Sequence, residues 1–201
     1  MKNLLKPSIW KMLKLFYDNR NTPIHLRDIS RKIKLNESTT SVHLNNLVKS
    51  GILKIEKDAN LKKFYVNKEK IPEIFPLFDS EKIEHLDLLR RDAIKLYIQK
   101  LDKKPILLVV FGSTAKGTYR KDSDIDLLVV FSEKYNDEKV INFVNSQTGM
   151  KLQTFKINEE QLKEELISKK DKVIGSALET GFPVFNERYF YQEIIEAGFY
   201  K

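Results

Sequence analysis

Two aspartates separated by one residue, Asp124 and Asp126, stand at the start of an apolar run that ends at Phe131. Side chains alternate between the two faces of a strand, so these carboxylates should project from the same face. Two carboxylates side by side near a core repel each other and lose hydration unless a cation or a proton compensates their charge. Paired oxygen ligands without sulfur favour Mg²⁺ or Mn²⁺. We call Asp124 and Asp126 the acid pair and expect both to bind a metal ion.

The segment before the acid pair has the composition of an anion site. Gly112 and Ser113 follow a second apolar run, residues 106–111. A glycine at the end of a strand permits a sharp turn and leaves room for a ligand. Ser113 is expected to cap a segment that begins at Thr114, whose free N–H groups would then face an anion.

Three basic residues lie between the two halves of this site: Lys116, Arg120 and Lys121. An anion site that faces a metal-binding carboxylate pair is the arrangement that a metal–triphosphate substrate requires. We therefore expect a nucleoside triphosphate, with ATP as the first candidate, as substrate or ligand. Its phosphates would contact Gly112, Ser113, Lys116, Arg120 and Lys121.

The spacing of these residues resembles that of a known family. Gly112-Ser113, ten further residues and Asp124-Ile125-Asp126 match the signature of the DNA polymerase β-like nucleotidyltransferases. The flanking FGSTAKG and SDIDLLV resemble the minimal members of that superfamily, over residues 85–200. The resemblance implies transfer of a nucleoside monophosphate from Mg-NTP to a hydroxyl group of a protein or a small molecule. It also implies that Ser113, Asp124 and Asp126 are catalytic. Without such a role, the acids would merely be solvated at the end of a strand.

One position departs from the pattern of that superfamily, whose members carry a third acid on a neighbouring strand. Here the neighbouring strand is predicted at Lys151–Ile157, and the matching residue is Gln153. Glutamine supplies no negative charge and accepts no proton. Glu159 or Glu160 could substitute for the missing acid. A second hypothesis therefore stays open, in which the domain binds nucleotide as a signal with little or no turnover.

The N-terminal part of the chain carries the excess of positive charge. Residues 1–79 contain 16 Lys and Arg against 8 Asp and Glu, whereas residues 80–201 contain 20 of each. Such an imbalance indicates contact with a polyanion. Hydrophobic spacing predicts helices and then a hairpin. The predicted elements are helices at Ser8–Tyr17, Leu26–Ile33 and from the N-cap Asn36 to Ser50, then strands at Ile52–Glu56 and Lys63–Val66 joined by KDANLK.

This order of elements is that of a winged helix-turn-helix, and ESTTSVHLNNLVKSGIL resembles the recognition helix of bacterial and archaeal regulators. The resemblance implies binding of double-stranded DNA, with base contacts from the third helix and phosphate contacts from basic residues. The expected DNA-binding residues are Arg27, Arg31, Ser38, Thr39, Val42, Asn45, Lys62 and Lys63. Such domains commonly bind as homodimers, although a fold used only for protein contacts is the alternative.

The fold class expected from these patterns is α+β: a winged helix-turn-helix followed by a nucleotidyltransferase domain with a small mixed sheet flanked by helices. Pro72 and Pro76 should break the helical pattern, so the domains are placed at residues 1–76 and 77–201. Residues 77–101 should form one linking helix, whose apolar line includes Leu89. Arg90 and Arg91 should then lie toward solvent.

Composition excludes several other classes of protein. The chain has no cysteine, and its three histidines are scattered, so neither disulfides nor a zinc site is expected. No apolar run approaches the length of a membrane span, and the first residues lack the continuous apolar core of a signal peptide. A cytoplasmic location without membrane contact is expected.

Overall fold

The structure is a computed structural model that describes residues 6–20, 22–58 and 61–200. The chain divides into two compact units, residues 1–78 with 199–201 and residues 79–198. Within the described ranges, none of the helices has both the length and the apolar character that a membrane crossing requires.

The first unit has the helices that the sequence predicts. Its elements in chain order are α1 (Pro7–Asp18), β1 (Ile24–His25), α2 (Leu26–Ile33), α3 (Glu37–Lys49), β2 (Leu53–Asp58) and β3 (Leu61–Val66). Asn36 caps α3 by accepting a hydrogen bond from the N–H of Thr39 at 2.7 Å. After α3, Gly51 takes a left-handed φ of 73°, as expected of a residue that ends a helix. The apolar faces of α2 and α3 bury Ile29 and Leu44 completely.

The sheet of the first unit has the order β1-β3-β2 and is antiparallel. The hairpin is longer than predicted, because Lys57 pairs with Lys62 and Asp58 with Leu61. Most of KDANLK therefore belongs to the strands, and residues 59–60 lie outside the described residues. The third strand, β1, was not predicted because two residues are too few to show alternation.

The helices that follow differ from the prediction of one linking helix. An α-helix, α4, runs from Ile71 to Glu84 with Pro76 inside it, and a separate helix, α5, runs from Leu88 to Lys100. The predicted break at Pro76 is wrong. The helix continues through Pro76 because this stretch buries large side chains such as Phe75 and Phe78, and such burial offsets the lost hydrogen bond. The real break lies at residues 85–87.

The second unit contains a four-stranded mixed sheet of order β6-β5-β4-β7, in which β5 and β6 are parallel and the other pairs are antiparallel. Its remaining elements are β4 (Leu107–Phe111), α6 (Gly112–Lys116), β5 (Ile125–Phe131), α7 (Glu138–Thr148), β6 (Leu152–Asn158), α8 (Glu159–Ser168), α9 (Lys172–Thr180), β7 (Phe182–Phe185) and α10 (Glu187–Glu196). The mixed sheet and flanking helices are the predicted fold class. Asn158 and Gln161 form the capping box expected at α8.

The two central strands, β4 and β5, are buried on both faces. On one face, Leu127 and Val129 belong to a core that includes Tyr97 of α5 and Val144 of α7. On the other face lies Leu128, and α9 packs against β4. Asp126 shares the face of Leu128 because side chains alternate. Asp126 is thus the second residue of a largely buried strand, which fixes its position, and Asp124 immediately precedes that strand.

Candidate active site

The turn after β4 passes directly over Asp126. The register of β4 and β5 places Phe111 opposite Asp126, and Gly112 follows with a φ of 66°. A β-carbon added at Gly112 would lie 2.1 Å from Oδ2 of Asp126 and 3.0 Å from its Cγ. Both the left-handed backbone and the lack of space require glycine at this position. The glycine of the predicted anion site is therefore in contact with the acid pair.

The acid pair carries negative charge that no described cation neutralises through an ion pair. Asp124 is exposed and immediately precedes β5, and Asp126 is half-buried as its second residue. Burial, and then the charge of Asp124, raises the pKa of Asp126 above its ordinary value. A raised carboxyl pKa means that the site stabilises added positive charge, either a proton or a metal ion.

The donor set fits Mg²⁺ or Mn²⁺. Within the described residues, no group of three or more His, Asp or Glu side chains comes together that could hold a metal ion. Among the described residues, the carboxylates available at this site are therefore the two aspartates. Mg²⁺ is commonly bound by one or two carboxylates together with water and substrate phosphates. This pair matches that pattern.

Gln153 lies beside Asp126, as the sequence predicted. The register of the parallel strands pairs Asp126 with Gln153, whose side chain is exposed. Glu159 and Glu160 follow the last residue of β6, about 20 Å further along the strand. Glu159 there bonds Lys163 at 2.8 Å. The alternative that Glu159 or Glu160 replaces the third acid is wrong, because Asn158, which precedes both, pairs with Phe131 at the opposite end of β5.

The turn formed by α6, residues Gly112–Lys116, differs in one detail from the prediction. The residue before this helix is Phe111, and Ser113 is its second residue rather than its cap. The expected capping by Ser113 is therefore wrong, because the helix begins at Gly112, two residues earlier than predicted. The Ser113 carbonyl accepts the N–H of Thr118 at 3.0 Å, and its side chain is half-buried.

The three predicted phosphate-binding cations are exposed. Lys116 ends α6, and Arg120 and Lys121 lie in the loop of residues 117–124 between α6 and β5, which we call the α6–β5 loop. In the described part of the chain, none of these three side chains forms an ion pair. All three are therefore free to contact an anion.

Arg90 was expected in solvent, and that expectation is wrong. Its side chain is only 1% exposed, and its Nη2 donates to the carbonyls of Arg120 and Ser123, each at 2.8 Å. The break before α5 changes the phase of the helix, so Leu89 is 51% exposed and Arg90 points inward. Arg91 is half-buried and donates to Glu84 at 3.1 Å. The sequence signal for this phase was Asp87, a good N-cap residue.

The predicted base-contacting residues lie on α3. Ser38, Val42 and Asn45 are exposed, and Val42 is 58% exposed although it is apolar. Thr39 is half-buried. The predicted inward residues, Thr40, Leu44 and Leu47, are buried. An exposed valine among polar residues on one helix face is suited to contact a thymine methyl group.

The predicted phosphate-contacting residues lie around α3. Arg27 and Arg31 are exposed and pair with Glu37 at 3.6 Å and Asp28 at 2.8 Å. Lys63 lies in β3 as predicted, whereas Lys62, which was predicted in the hairpin loop, also lies in β3. The prediction for Lys62 was wrong because the strands of the hairpin extend two residues further than their apolar pattern shows. Lys62 is exposed and Lys63 half-buried.

Comparison with protein families agrees with the two architectures. Residues 91–188 match the nucleotidyltransferase domain family, and residues 20–54 match the bacterial regulatory protein, arsR family. The chain thus joins a helix-turn-helix region to a nucleotidyltransferase domain, as the motifs predicted.

Comparison with solved structures finds toxin–antitoxin proteins. One is a crystal structure of the toxin-antitoxin with AMP-PNP, at 14% identity over 53% of this chain and 82% of that chain, with a TM-score of 0.39. A mutant of the toxin-antitoxin MntA-HpeT matches at 14% identity over 53% and 81%, with a TM-score of 0.38. Another mutant of MntA-HpeT matches at 15% identity over 54% and 81%, with a TM-score of 0.37. No curated protein matches the chain.

Proposed function

We propose that residues 77–201 form an enzyme that transfers a nucleoside monophosphate from Mg-NTP, with ATP as the expected donor, to a hydroxyl group of a protein or a small molecule. The contact between Gly112 and the carboxylate of Asp126 is the observation that carries this proposal. A turn without side-chain bulk next to an acid pair leaves space for phosphates beside a bound cation.

The chain's residues have distinct roles in this reaction. Asp124 and Asp126 would hold Mg²⁺ or Mn²⁺, which supplies positive charge against the triphosphate. Gly112 and Ser113 bind the β- and γ-phosphates. Charge on the phosphates is further neutralised by three residues: Lys116, Arg120 and Lys121. In the transfer, the acceptor oxygen bonds to the α-phosphorus, the bond to the β-phosphate oxygen breaks and pyrophosphate leaves.

The position of Gln153 favours a second candidate function. Because Gln153 cannot take the proton of the attacking hydroxyl, that proton passes to solvent in the proposed transfer, and turnover should be slow. The alternative is therefore a DNA-binding transcriptional regulator whose C-terminal domain binds nucleotide as a signal with little or no turnover.

We further propose that residues 1–76 bind double-stranded DNA, as a homodimer on a two-fold site. The charge excess of residues 1–79 and the exposed face of α3 support this role. Ser38, Thr39, Val42 and Asn45 would contact bases. Phosphate contacts would come from Arg27, Arg31, Lys62 and Lys63.

The transfer reaction is tested with ATP labelled at the α-phosphate. With Mg²⁺, label should appear on the protein, a co-purified partner or an added hydroxyl compound, whereas ATP labelled at the γ-phosphate should give none. Asp126→Ala should abolish labelling. Asp122→Ala changes an exposed aspartate of the α6–β5 loop and should retain it. Measurable ATP affinity without any labelling would reject the enzyme and support the signalling function.

A further inference from the structure

The guanidinium of Arg90 is buried, yet its hydrogen-bonding groups have partners. Its Nε lies 3.2 Å from Oδ2 of Asp87, and its Nη1 donates to Oγ1 of Thr114 at 3.2 Å. Its Nη2 donates to the carbonyls of Arg120 and Ser123. A buried charge is strongly unfavourable unless it is paired and hydrogen-bonded. Because Nε, Nη1 and Nη2 all have partners, the surroundings of Arg90 are specific for a planar guanidinium.

The partners of Arg90 belong to both halves of the candidate active site. Thr114 is a buried residue of α6, the turn that contains Gly112 and Ser113. The Nη1 atom also lies 3.5 Å from the carbonyl of Asp124, the first residue of the acid pair. One side chain therefore connects the turn on the phosphate side with the backbone of a metal-binding candidate.

The α6–β5 loop has few other fixed points. Asp124 precedes β5, so the strand ladder does not include it. Another hydrogen bond within the loop runs from the Arg120 N–H to Oγ of Ser123, at 2.9 Å. The ring of Tyr119 covers the guanidinium of Arg90, with its centroid 4.2 Å from Cζ. After Asp124, the Ile125 N–H donates to the Lys151 carbonyl at 2.8 Å. Before Asp124, the path of the loop depends on the carbonyls of Arg120 and Ser123 that Arg90 holds.

We propose that Arg90 is a positioning residue of the metal–nucleotide site. It sets the separation of the acid pair from the α6 turn without touching either carboxylate. This inference rests on the proposed function, because it assumes that the acid pair binds a metal ion. Lysine cannot replace it, because a single ammonium lacks the planar set of donors. Changes to groups that orient metal ligands typically weaken metal binding by about 10- to 100-fold.

The test compares two neighbouring arginines of α5 in the full chain. Arg90→Lys should weaken binding of Mn²⁺ with a non-hydrolysable ATP analogue about tenfold, measured by Mn²⁺ paramagnetic resonance. The matched control, Arg91→Lys, changes an arginine that pairs with Glu84 and should bind as the wild type does. Amide hydrogen exchange should accelerate in the α6–β5 loop of Arg90→Lys, with the interior of β5 unchanged.

The outcomes separate this inference from the function on which it rests. A wild-type protein that binds neither Mn²⁺ nor nucleotide would reject the proposed function itself. If the wild type binds and Arg90→Lys binds equally well with unchanged loop exchange, Arg90 has no positioning role. Should Arg90→Lys fail to fold, Asp87→Ser keeps an N-cap for α5 but removes the carboxylate beside Nε. It should then weaken Mn²⁺ binding about threefold, less than the roughly 10- to 100-fold typical of groups that orient metal ligands, because Asp87 acts only through Arg90. Unaltered binding would overturn the inference.

Discussion

Gly112 and Asp126 touch across the end of β4 and β5: the carboxylate oxygen Oδ2 occupies the space that a side chain on residue 112 would need, 2.1 Å from the position of its β-carbon. The contact joins a residue of the turn to a residue of the strand 14 positions further along the sequence. The distance between the two halves of the site is therefore set by van der Waals contact, which allows little variation.

The first prediction concerns this contact. Gly112→Ala should displace the Asp126 carboxylate and lower the affinity for Mn²⁺ at least tenfold, as measured by paramagnetic resonance. It should also reduce the free energy of unfolding by about 1–2 kcal/mol, because a left-handed backbone is unfavourable for alanine.

Gly149→Ala is the matched control for that prediction. Gly149 has a φ of 70°, and nothing lies within 4 Å of an added β-carbon. Its variant should lose similar stability, about 1–2 kcal/mol, while keeping the wild-type affinity for Mn²⁺. Equal Mn²⁺ affinities in both variants would show that the contact does not position the carboxylate.

The second prediction concerns pH. Because the pKa of Asp126 is raised in the folded protein by burial and by Asp124, the native state binds this proton more tightly than the unfolded chain does. The metal-free protein should therefore lose stability as the pH rises from the ordinary carboxyl pKa through the raised one. Asp126→Asn should be the more stable protein at neutral pH, and the difference should vanish in acid.

Denaturant unfolding at several pH values, with and without Mn²⁺, measures this effect. Mn²⁺ should stabilise the wild type by mass action and leave Asp126→Asn unaffected, which reverses their order at neutral pH. Asp122→Asn, which changes an exposed aspartate of the α6–β5 loop, should not show the reversal. If Asp126→Asn is the less stable protein in metal-free buffer at neutral pH, the negative charge of Asp126 does not destabilise the folded protein and the prediction is wrong.

The third prediction concerns Gln153, which pairs with Asp126 in the register of β5 and β6. Gln153→Glu adds a third carboxylate, so it should destabilise the metal-free protein and bind Mn²⁺ about tenfold more tightly, because each added ligand charge raises affinity for a hard cation. Nucleotidyl transfer from α-labelled ATP should rise as well. Gln153→Met has a side chain of similar size without charge. It should not lower the stability of the metal-free protein, tighten Mn²⁺ binding or raise the rate of transfer.

The strands β4 and β5 and the acid pair could be predicted because each is indicated by a short, continuous stretch of sequence. The apolar runs of β4 and β5 and the alternation around Ile125 indicate buried strands and place Asp124 and Asp126 on one face. The resemblance to a known signature then pointed to Gly112 and Ser113 as candidate phosphate-binding residues. The site residues recognised in this way depend on spacing within a single strand–turn–strand segment.

Arg90 could not be predicted in this way, because its partners are carbonyl groups of a loop that lies 30 and more residues further along the chain. Backbone acceptors leave no mark on the sequence. The exposed position assigned to Arg90 followed from continuing one helical phase through residues 85–87, where the chain in fact starts a new helix at Leu88. An error of one residue in the helical phase was sufficient to predict Leu89 as buried and Arg90 as exposed, when the opposite is found.

The fourth prediction concerns DNA. If the two lysines on β3, Lys62 and Lys63, each neutralise a phosphate, the double variant Lys62→Ala with Lys63→Ala should lower affinity and reduce the slope of log affinity against log salt by about 2. A mobility-shift or anisotropy titration at several salt concentrations measures the slope on any duplex, because phosphate contacts do not depend on sequence.

The control for this measurement removes the same charge elsewhere. Lys139 and Lys172 are exposed residues of the second unit, and their double alanine variant should keep the wild-type slope. Val42→Glu on the exposed face of α3 should abolish binding at all salt concentrations, since it places a negative charge where the helix would enter the major groove. A slope that falls equally in both lysine variants would mean that net charge, rather than the helix-turn-helix surface, attracts the DNA.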